Sequence, residues 1–364
     1  HVASGKKRIK VGIVLDFPID DVKQSFLDAV QLAMDEATEN EVIDREVELV
    51  VRDVEGLPRG EAHDVVLAWQ ELADLGVIGI IGPLISDNSI AVAEHQETLA
   101  RKVPTLTWSG TDLQYSEYMF GFGNGSLPEE PYLMAEWLKD QGHETVGVVY
   151  ERAATGLEYL EFFVDACLRE GLEIVHSEGI GQITRDMSAT VARLRDRAPD
   201  ALAYFGFGLP GIEMNGALAE IDWDPPRVMS AAFINCYVIP AFMHGLKGWI
   251  GVDQWDETNP VGQEMLARFE KRFGYRQDNC VPTLAFDCGA ALAQGIGRAR
   301  ALTPVGVKDG LEKVKMLPSA TGGPGTRISL GHYTRRAWHG ADYLLLREID
   351  DELTGTTFVG RFRR

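Results

Sequence analysis

Few residues able to do chemistry are grouped together along this 364-residue chain. Gly206, Gly208 and Gly211 in GFGLPG have the G-x-G-x-x-G spacing that lets a backbone approach a pyrophosphate, between a strand-like run and a helical one. A dinucleotide site also needs an acid at the end of the next strand to hold the ribose, and Arg227 to Phe233 (RVMSAAF) offers none. A glycine-lined turn is the reading that fits. There is no G-x-x-x-x-G-K-[ST] phosphate cradle, no G-x-S-x-G nucleophile elbow and no H-E-x-x-H pair among the eight histidines. Asp20 with Asp21, and Asp350 with Asp351, are neighbours in the chain, which does not set two carboxylates across a substrate. The four cysteines, 167, 236, 280 and 288, form no C-x-x-C pair. Cys167 is expected as a buried thiol, with a Cys280–Cys288 bridge the lesser alternative to free thiols there. Neither catalytic residues, a metal nor a cofactor is expected.

The ends of the predicted strands are more informative, because ligands of parallel α/β sheets sit at the strands' carboxyl ends. Those ends carry Asp16-Phe17, Ser86-Asp87, Trp108-Ser109-Gly110-Thr111, Tyr150 to Thr155, Phe205 to Gly208 and Ala232-Phe233. Hydroxyls at a helix start can join backbone N–H groups in holding a carboxylate or another polar head, while aromatic rings enclose an apolar body. The mixture recurs in both halves of the chain, which points to ligand capture.

The elements that must position these ends alternate between short β-rich runs and amphipathic helices. Strands are predicted at Ile9 to Leu15, Val47 to Val51, Val77 to Ile81 and Pro104 to Thr107. Phe26, Ala29, Val30, Ala33, Met34 and Ala37 form one helical stripe, and Leu157, Leu160, Val164, Cys167 and Leu168 are read as another. Glycine-rich Phe120 to Pro128 is a predicted crossover, after which the alternation restarts with strands at Thr145 to Tyr150, Glu173 to Ser177, Ala201 to Phe205 and Arg227 to Ala231. Gly248 to Pro260 reads as a second crossover and Ser319 to Gly331 as a third, with helices Gly262 to Phe273 and Pro282 to Ala301 between them and a last strand at Tyr343 to Ile349. The fold class is α/β, with two doubly wound parallel-sheet lobes joined by three crossovers. The expected N-terminal lobe is 8–121 plus 253–328. The expected C-terminal lobe is 124–250 plus 335–364, with a ligand cleft and hinge between the two.

Composition narrows the partners. Fifty-five acidic against 35 basic residues give a net charge of −20, which argues against nucleic acid. No apolar run reaches the roughly 20 residues of a membrane span. The chain begins at His1, and residues 1–7 read as a mature end or an expression scar, from which an export signal has been removed or left out.

IKVGIVLDF, QLAMDEA, VIGIIGPLISDNSIAVAE, VPTLTWSGTD, YMFGFGNG and VGVVYERAATGLEYLEFF, in that order and spacing, resemble the type I periplasmic binding proteins of ABC importers, in the branch similar to branched-chain amino acid binding proteins. The resemblance implies an extracytoplasmic receptor, not an enzyme, that closes on a small ligand and hands it to ABC permease and ATPase subunits. It places the ligand-carboxylate contacts on Ser86, Ser109 and Thr111. It maps the family's ammonium anchors, an aromatic residue and an acid, onto Thr155 and Ala232, so the acid is missing, and an ammonium is costly to bury without one. Trp108, Tyr150, Phe205, Phe207, Phe233 and Trp255 then suggest an apolar or aromatic ligand with a polar or acidic end; Phe17 is a further candidate contact, and Asp87 and Asp253 are reserve acids. The alternatives are a same-fold sensor or regulator of the amide-responsive type, or a branched-chain amino acid binder that uses a different acid. An enzyme holding a nucleotide on GFGLPG is a third reading.

Overall fold

The computed structural model describes residues 5–17, 19–238, 240–340 and 342–363. Residues 1–4, part of the expected mature end or scar, lie outside them. The chain divides into two compact units, 1–124 with 255–343, and 125–254 with 344–364.

In the first unit the order is β1 (Ile9–Leu15), α1 (Asp20–Glu39), β2 (Val47–Asp53), α2 (Ala62–Asp74), β3 (Ile80–Ile81), α3 (Ser86–Glu97), β4 (Thr105–Thr107) and β5 (Met119–Gly121). These strands form one parallel sheet in the order β2-β1-β3-β4-β5. Both faces are covered, so the central strands are rich in buried apolar residues: Val11, Ile13, Val14, Ile80, Ile81 and Leu106 are fully buried. The whole predicted stripe of α1 is buried.

The second unit runs α4 (Glu130–Asp140), β6 (Thr145–Glu151), α5 (Ala154–Glu170), β7 (Glu173–Ile180), α6 (Ser188–Asp196), β8 (Ala201–Phe205), α7 (Leu209–Glu220) and β9 (Arg227–Met229). A 3-10 turn at Ala231–Tyr237, α8 (Pro240–Gly245) and β10 (Ile250–Asp253) complete this stretch. The chain then supplies the first unit with α9 (Pro260–Phe273), α10 (Cys280–Gly297), α11 (Pro304–Leu311) and a small hairpin of β11 (Leu317–Pro318) and β12 (Arg327–Ile328). Helix α10 packs on α1 closely enough that a Cβ on Gly289 would lie 2.9 Å from that of Ala33. Finally β13 (Leu345–Ile349) and β14 (Thr356–Gly360) add antiparallel strands, giving a second sheet ordered β14-β13-β10-β9-β8-β6-β7.

The structure departs from the predicted threading in several places. Ser319 to Gly331 does not leave the first unit: buried Asp287 of α10 accepts hydrogen bonds from Ser319 Oγ (2.8 Å), Ala320 N (3.0 Å) and Thr321 N (3.1 Å). Residues 335–343, expected in the C-terminal lobe, also belong to the first unit, where Gly121 N donates to Arg335 O and Ala337 N to Gly121 O. Asp253, expected in the N-terminal lobe, ends β10 of the second unit. The predicted crossover at 248–260 contains a short strand, β10, and that at 120–128 begins on the last two residues of β5, both strands being obscured by neighbouring glycines.

The stripe expected on α5 lies mostly on the exposed side, with only Cys167 of its five residues buried. Leu157, Val164 and Leu168 are 54%, 42% and 76% exposed. The helix instead buries Tyr159, Phe163 and Ala166, because the two aromatic rings pack on Phe205 with centroids 5.4 and 4.8 Å away. Cys167 is a buried free thiol, and Cys280 and Cys288 are free and buried rather than bridged.

Candidate functional site

In each sheet the first strand in sequence has one neighbour that precedes it in space and another that follows, and this reversal is where α/β proteins open a crevice at the strands' carboxyl ends. In the first unit the reversal lies between β1 and β3, and in the second between β6 and β8.

At the first reversal, Asp16 follows β1 and is 1% exposed. Its carboxylate accepts from Leu84 N (2.6 Å), Ile85 N (3.1 Å) and Asn88 Nδ2 (2.8 Å). Burial pushes its carboxyl up to about 6, against the opposing pull of those three donors. Asn88 also bonds both backbone groups of Leu57, so the loop after β2 is stapled to α3. The α3 helix begins with no side-chain cap, and Ser86 and Asp87 sit half-buried on its first turn. A helix start carries partial positive charge, and the Asp16 carboxylate meets it on the N–H groups of Leu84 and Ile85.

One turn on, buried Ser89 shares a short hydroxyl–hydroxyl bond with Ser109, which is 1% exposed. Thr111, equally buried, accepts from Leu113 N at 3.0 Å. Gln114 closes this turn from within, accepting from Thr107 Oγ1 (2.7 Å) and donating to Ser109 O (3.3 Å). Trp108 is 5% exposed and meets Phe26 edge-on at 5.1 Å. Half-buried Phe17 lines a small hollow with Ile19, Gly56, Pro58 and Arg59. Ser86, Asp87, Trp108, Ser109, Thr111 and Phe17 are thus all placed at the carboxyl end of one sheet. Trp255 is buried where the chain re-enters this unit.

The second reversal repeats the arrangement with a residue that sequence reasoning passed over. Glu151 ends β6, is wholly buried, and accepts from Tyr204 Oη (2.6 Å) and Gly208 N (2.8 Å). The GFGLPG turn is therefore folded around a carboxylate, with Gly206 and Gly208 at φ +149° and +111°. A phosphate would meet negative charge where the motif should offer N–H groups, which removes the basis for a dinucleotide site.

Several sequence candidates of this unit serve the core instead. Phe205 packs between Tyr159 and Phe163. Phe233 covers Gly251 so closely that a Cβ there would lie 1.9 Å from its ring. Ala232 abuts Gly208, and Thr155 is 7% exposed at the start of α5. Asp253 accepts from Tyr237 Oη and from Gln254 N (2.7 Å), so this reserve acid holds its own loop. Tyr150, over Gly179, and Phe207, whose carbonyl accepts from Asn235, remain half-buried. Asp16, Asn88, Ser89 and Glu151 have no role assigned from the sequence, yet the two acids, both at named strand ends, carry one legible signal: each closes the first strand of its alternation.

Among the described residues no cluster of His, Cys, Asp and Glu could hold a metal ion, and no helix is long and apolar enough to cross a membrane. No curated protein matches the chain. Solved structures share its fold across almost the whole length. A type 1 periplasmic binding protein from Bordetella pertussis Tohama I is 18% identical with a TM-score of 0.82, covering 97% of this chain and 100% of its own. A leucine binding protein from Thermotoga maritima MSB8 is 17% identical with a TM-score of 0.81, covering 98% and 99%. An ABC transporter solute binding protein from R. palustris, in complex with 4-hydroxybenzoate, is 18% identical with a TM-score of 0.82, covering 98% and 97%. The family model for periplasmic binding proteins matches residues 8–341. With that model spanning most of its length, the chain belongs to the periplasmic binding protein family, whose members are solute-binding receptors and not enzymes.

Proposed function

We propose that the chain is the extracytoplasmic receptor of an ABC importer, that its two units close on a small apolar or aromatic molecule bearing a carboxylate, and that it hands this ligand to permease and ATPase subunits. The observation that carries the reading is the pair of buried hydroxyls at the carboxyl end of the first sheet, Ser109, bonded to Ser89 of α3, and Thr111 two residues on. Hydroxyl and backbone donors at a helix start recognise an anionic head, and Trp108, Phe17, Tyr150 and Phe207 supply apolar surface for the body. The 4-hydroxybenzoate complex of the R. palustris neighbour makes aromatic carboxylates the first probes.

The test is a thermal-shift series with 4-hydroxybenzoate, benzoate, leucine, valine, NAD and ATP. Ligand at a hundred times its Kd adds about 2.7 kcal/mol, a rise of roughly 5 °C for units of this size. That rise is expected with an aromatic carboxylate and none with either nucleotide. Silence with every carboxylate would sink the reading. Ser109→Ala is expected to weaken carboxylate binding by roughly tenfold, the value of one hydrogen bond to a charged group. Calorimetry checks it, and an unchanged Kd would remove Ser109 from the site.

A second reading, an amino-acid receptor that neutralises the ammonium with a different acid, is favoured by Glu151 at the second reversal. Stabilisation by leucine or valine alone would select it.

A further inference from the structure

The turn that presents Ser109 and Thr111 is held from outside by a residue far along the chain. Arg336 lies in the extended segment that pairs in parallel with Gly121 of β5. Its Nη2 donates to Gly110 O at 3.0 Å and makes a short bond to Asp112 Oδ1. The side chain is 12% exposed, with Tyr115 and Tyr343 among its neighbours. Gly121 is the contact point of three pieces: a Cβ there would lie 3.3 Å from Gln114 Nε2, 3.7 Å from Ser109 O and 3.8 Å from Arg335 O. The turn is therefore clamped between Gln114 inside and Arg336 outside, with β5 beneath.

We propose that Arg336 is a positioning residue for ligand binding, its guanidinium setting the shape of the Ser109–Asp112 turn and neutralising Asp112 so that an anionic head can approach. Two bonds from one nitrogen of a rigid, planar, charged group define both the direction of the Gly110 carbonyl and the place of the Asp112 carboxylate. Removing the guanidinium releases the turn and leaves a carboxylate within three residues of the hydroxyl meant to receive an anion. Methionine in its place fills similar space without either effect, and lysine keeps the charge but not the planar group.

The proposal rests on the carboxylate reading above, and two measurements separate their failures. Hydrogen exchange of the ligand-free protein reports the turn alone. In R336M the amides of residues 110–115 are expected to exchange at least about tenfold faster than in wild type, with those of α1 unchanged, since a charged hydrogen bond of this kind contributes about 1.5 kcal/mol or more. Calorimetry with 4-hydroxybenzoate reports the consequence: R336M is expected to bind roughly tenfold more weakly, R336K less so, and R336M with D112N to recover part of the affinity but none of the protection. Recovery on removing Asp112 is a charge effect that a merely structural arginine would not produce. Exchange unchanged in R336M, or a wild-type Kd in R336M, overturns the proposal. If wild type binds no aromatic carboxylate, the carboxylate reading fails, and with it the anionic-head part of the proposal, while exchange alone decides whether Arg336 sets the turn. Should R336M not fold, R336K carries both measurements.

Discussion

Gly206→Ala is expected to destabilise the second unit by about 3–5 kcal/mol, enough to remove most of an ordinary domain's stability. Gly206 has φ +149°, and a Cβ built there lies 2.3 Å from both Cδ and Oε2 of Glu151. The neighbour is not the loose end of a surface side chain. Glu151 is fully buried and holds Tyr204 Oη and Gly208 N, so moving it strands two buried donors. Each lost partner costs about 1–3 kcal/mol. Tyr204 cannot adapt by ionising, because burial and the adjacent Glu151 charge push its hydroxyl well above the usual range and keep it a donor. Glu151→Leu should cause a loss of similar size by removing the acceptor itself. Urea unfolding checks both, and a G206A midpoint matching that of wild type would show that the turn is not organised around Glu151.

Acidification from pH 7 to pH 5 is expected to stabilise the first unit by about 2–3 kcal/mol, the reverse of the usual acid loss. Asp16 and Asp287 are both fully buried, and burial pushes each carboxyl up to about 6 from an ordinary 3.8. A folded acid with a raised pKa holds its proton where the unfolded chain has released it. Its contribution is complete below pH 4 and is lost as pH rises through 6. Most carboxylates work in the opposite sense but lower on the scale: Glu178, held at about 2 chiefly by Arg193, gives up its contribution only below about pH 4.5. The interval from pH 5 to 7 therefore carries the signal of the two buried aspartates. Denaturation across that interval should show a shallower slope in D16N and in D287N than in wild type, and a shallower one still in the double variant, whatever their absolute stabilities. A flat wild-type profile would contradict the account.

Much of the architecture was legible because α/β proteins write their layers into periodicity. The α1 stripe and the apolar runs of β1, β6 and β8 each have one physical meaning. Where two readings of a helix compete, periodicity alone does not decide. Along α5 the aliphatic set 157–164–168 and the aromatic set 159–163 are both helical, and the larger rings took the interior. Strands of three or four residues, such as β5 and β10, carry too few side chains to outweigh their glycines.

The site was half legible for a related reason. Hydroxyls at strand ends could be named from the sequence, but Asp16 and Glu151 matter through backbone N–H groups 57 to 69 residues away, contacts that no local pattern records. Phe205 and Phe233 misled in the same way, since a strand-end aromatic is as well suited to the core as to a ligand.

The interleaving of the two units governs when each can form during synthesis. The first sheet is encoded by residue 121, yet its α1 layer stays uncovered until α10 has emerged from the ribosome. The second sheet lacks β13 and β14 until the last twenty residues. Both cores are therefore completed only by segments from the last third of the chain, which places the closing contacts of each unit late in synthesis.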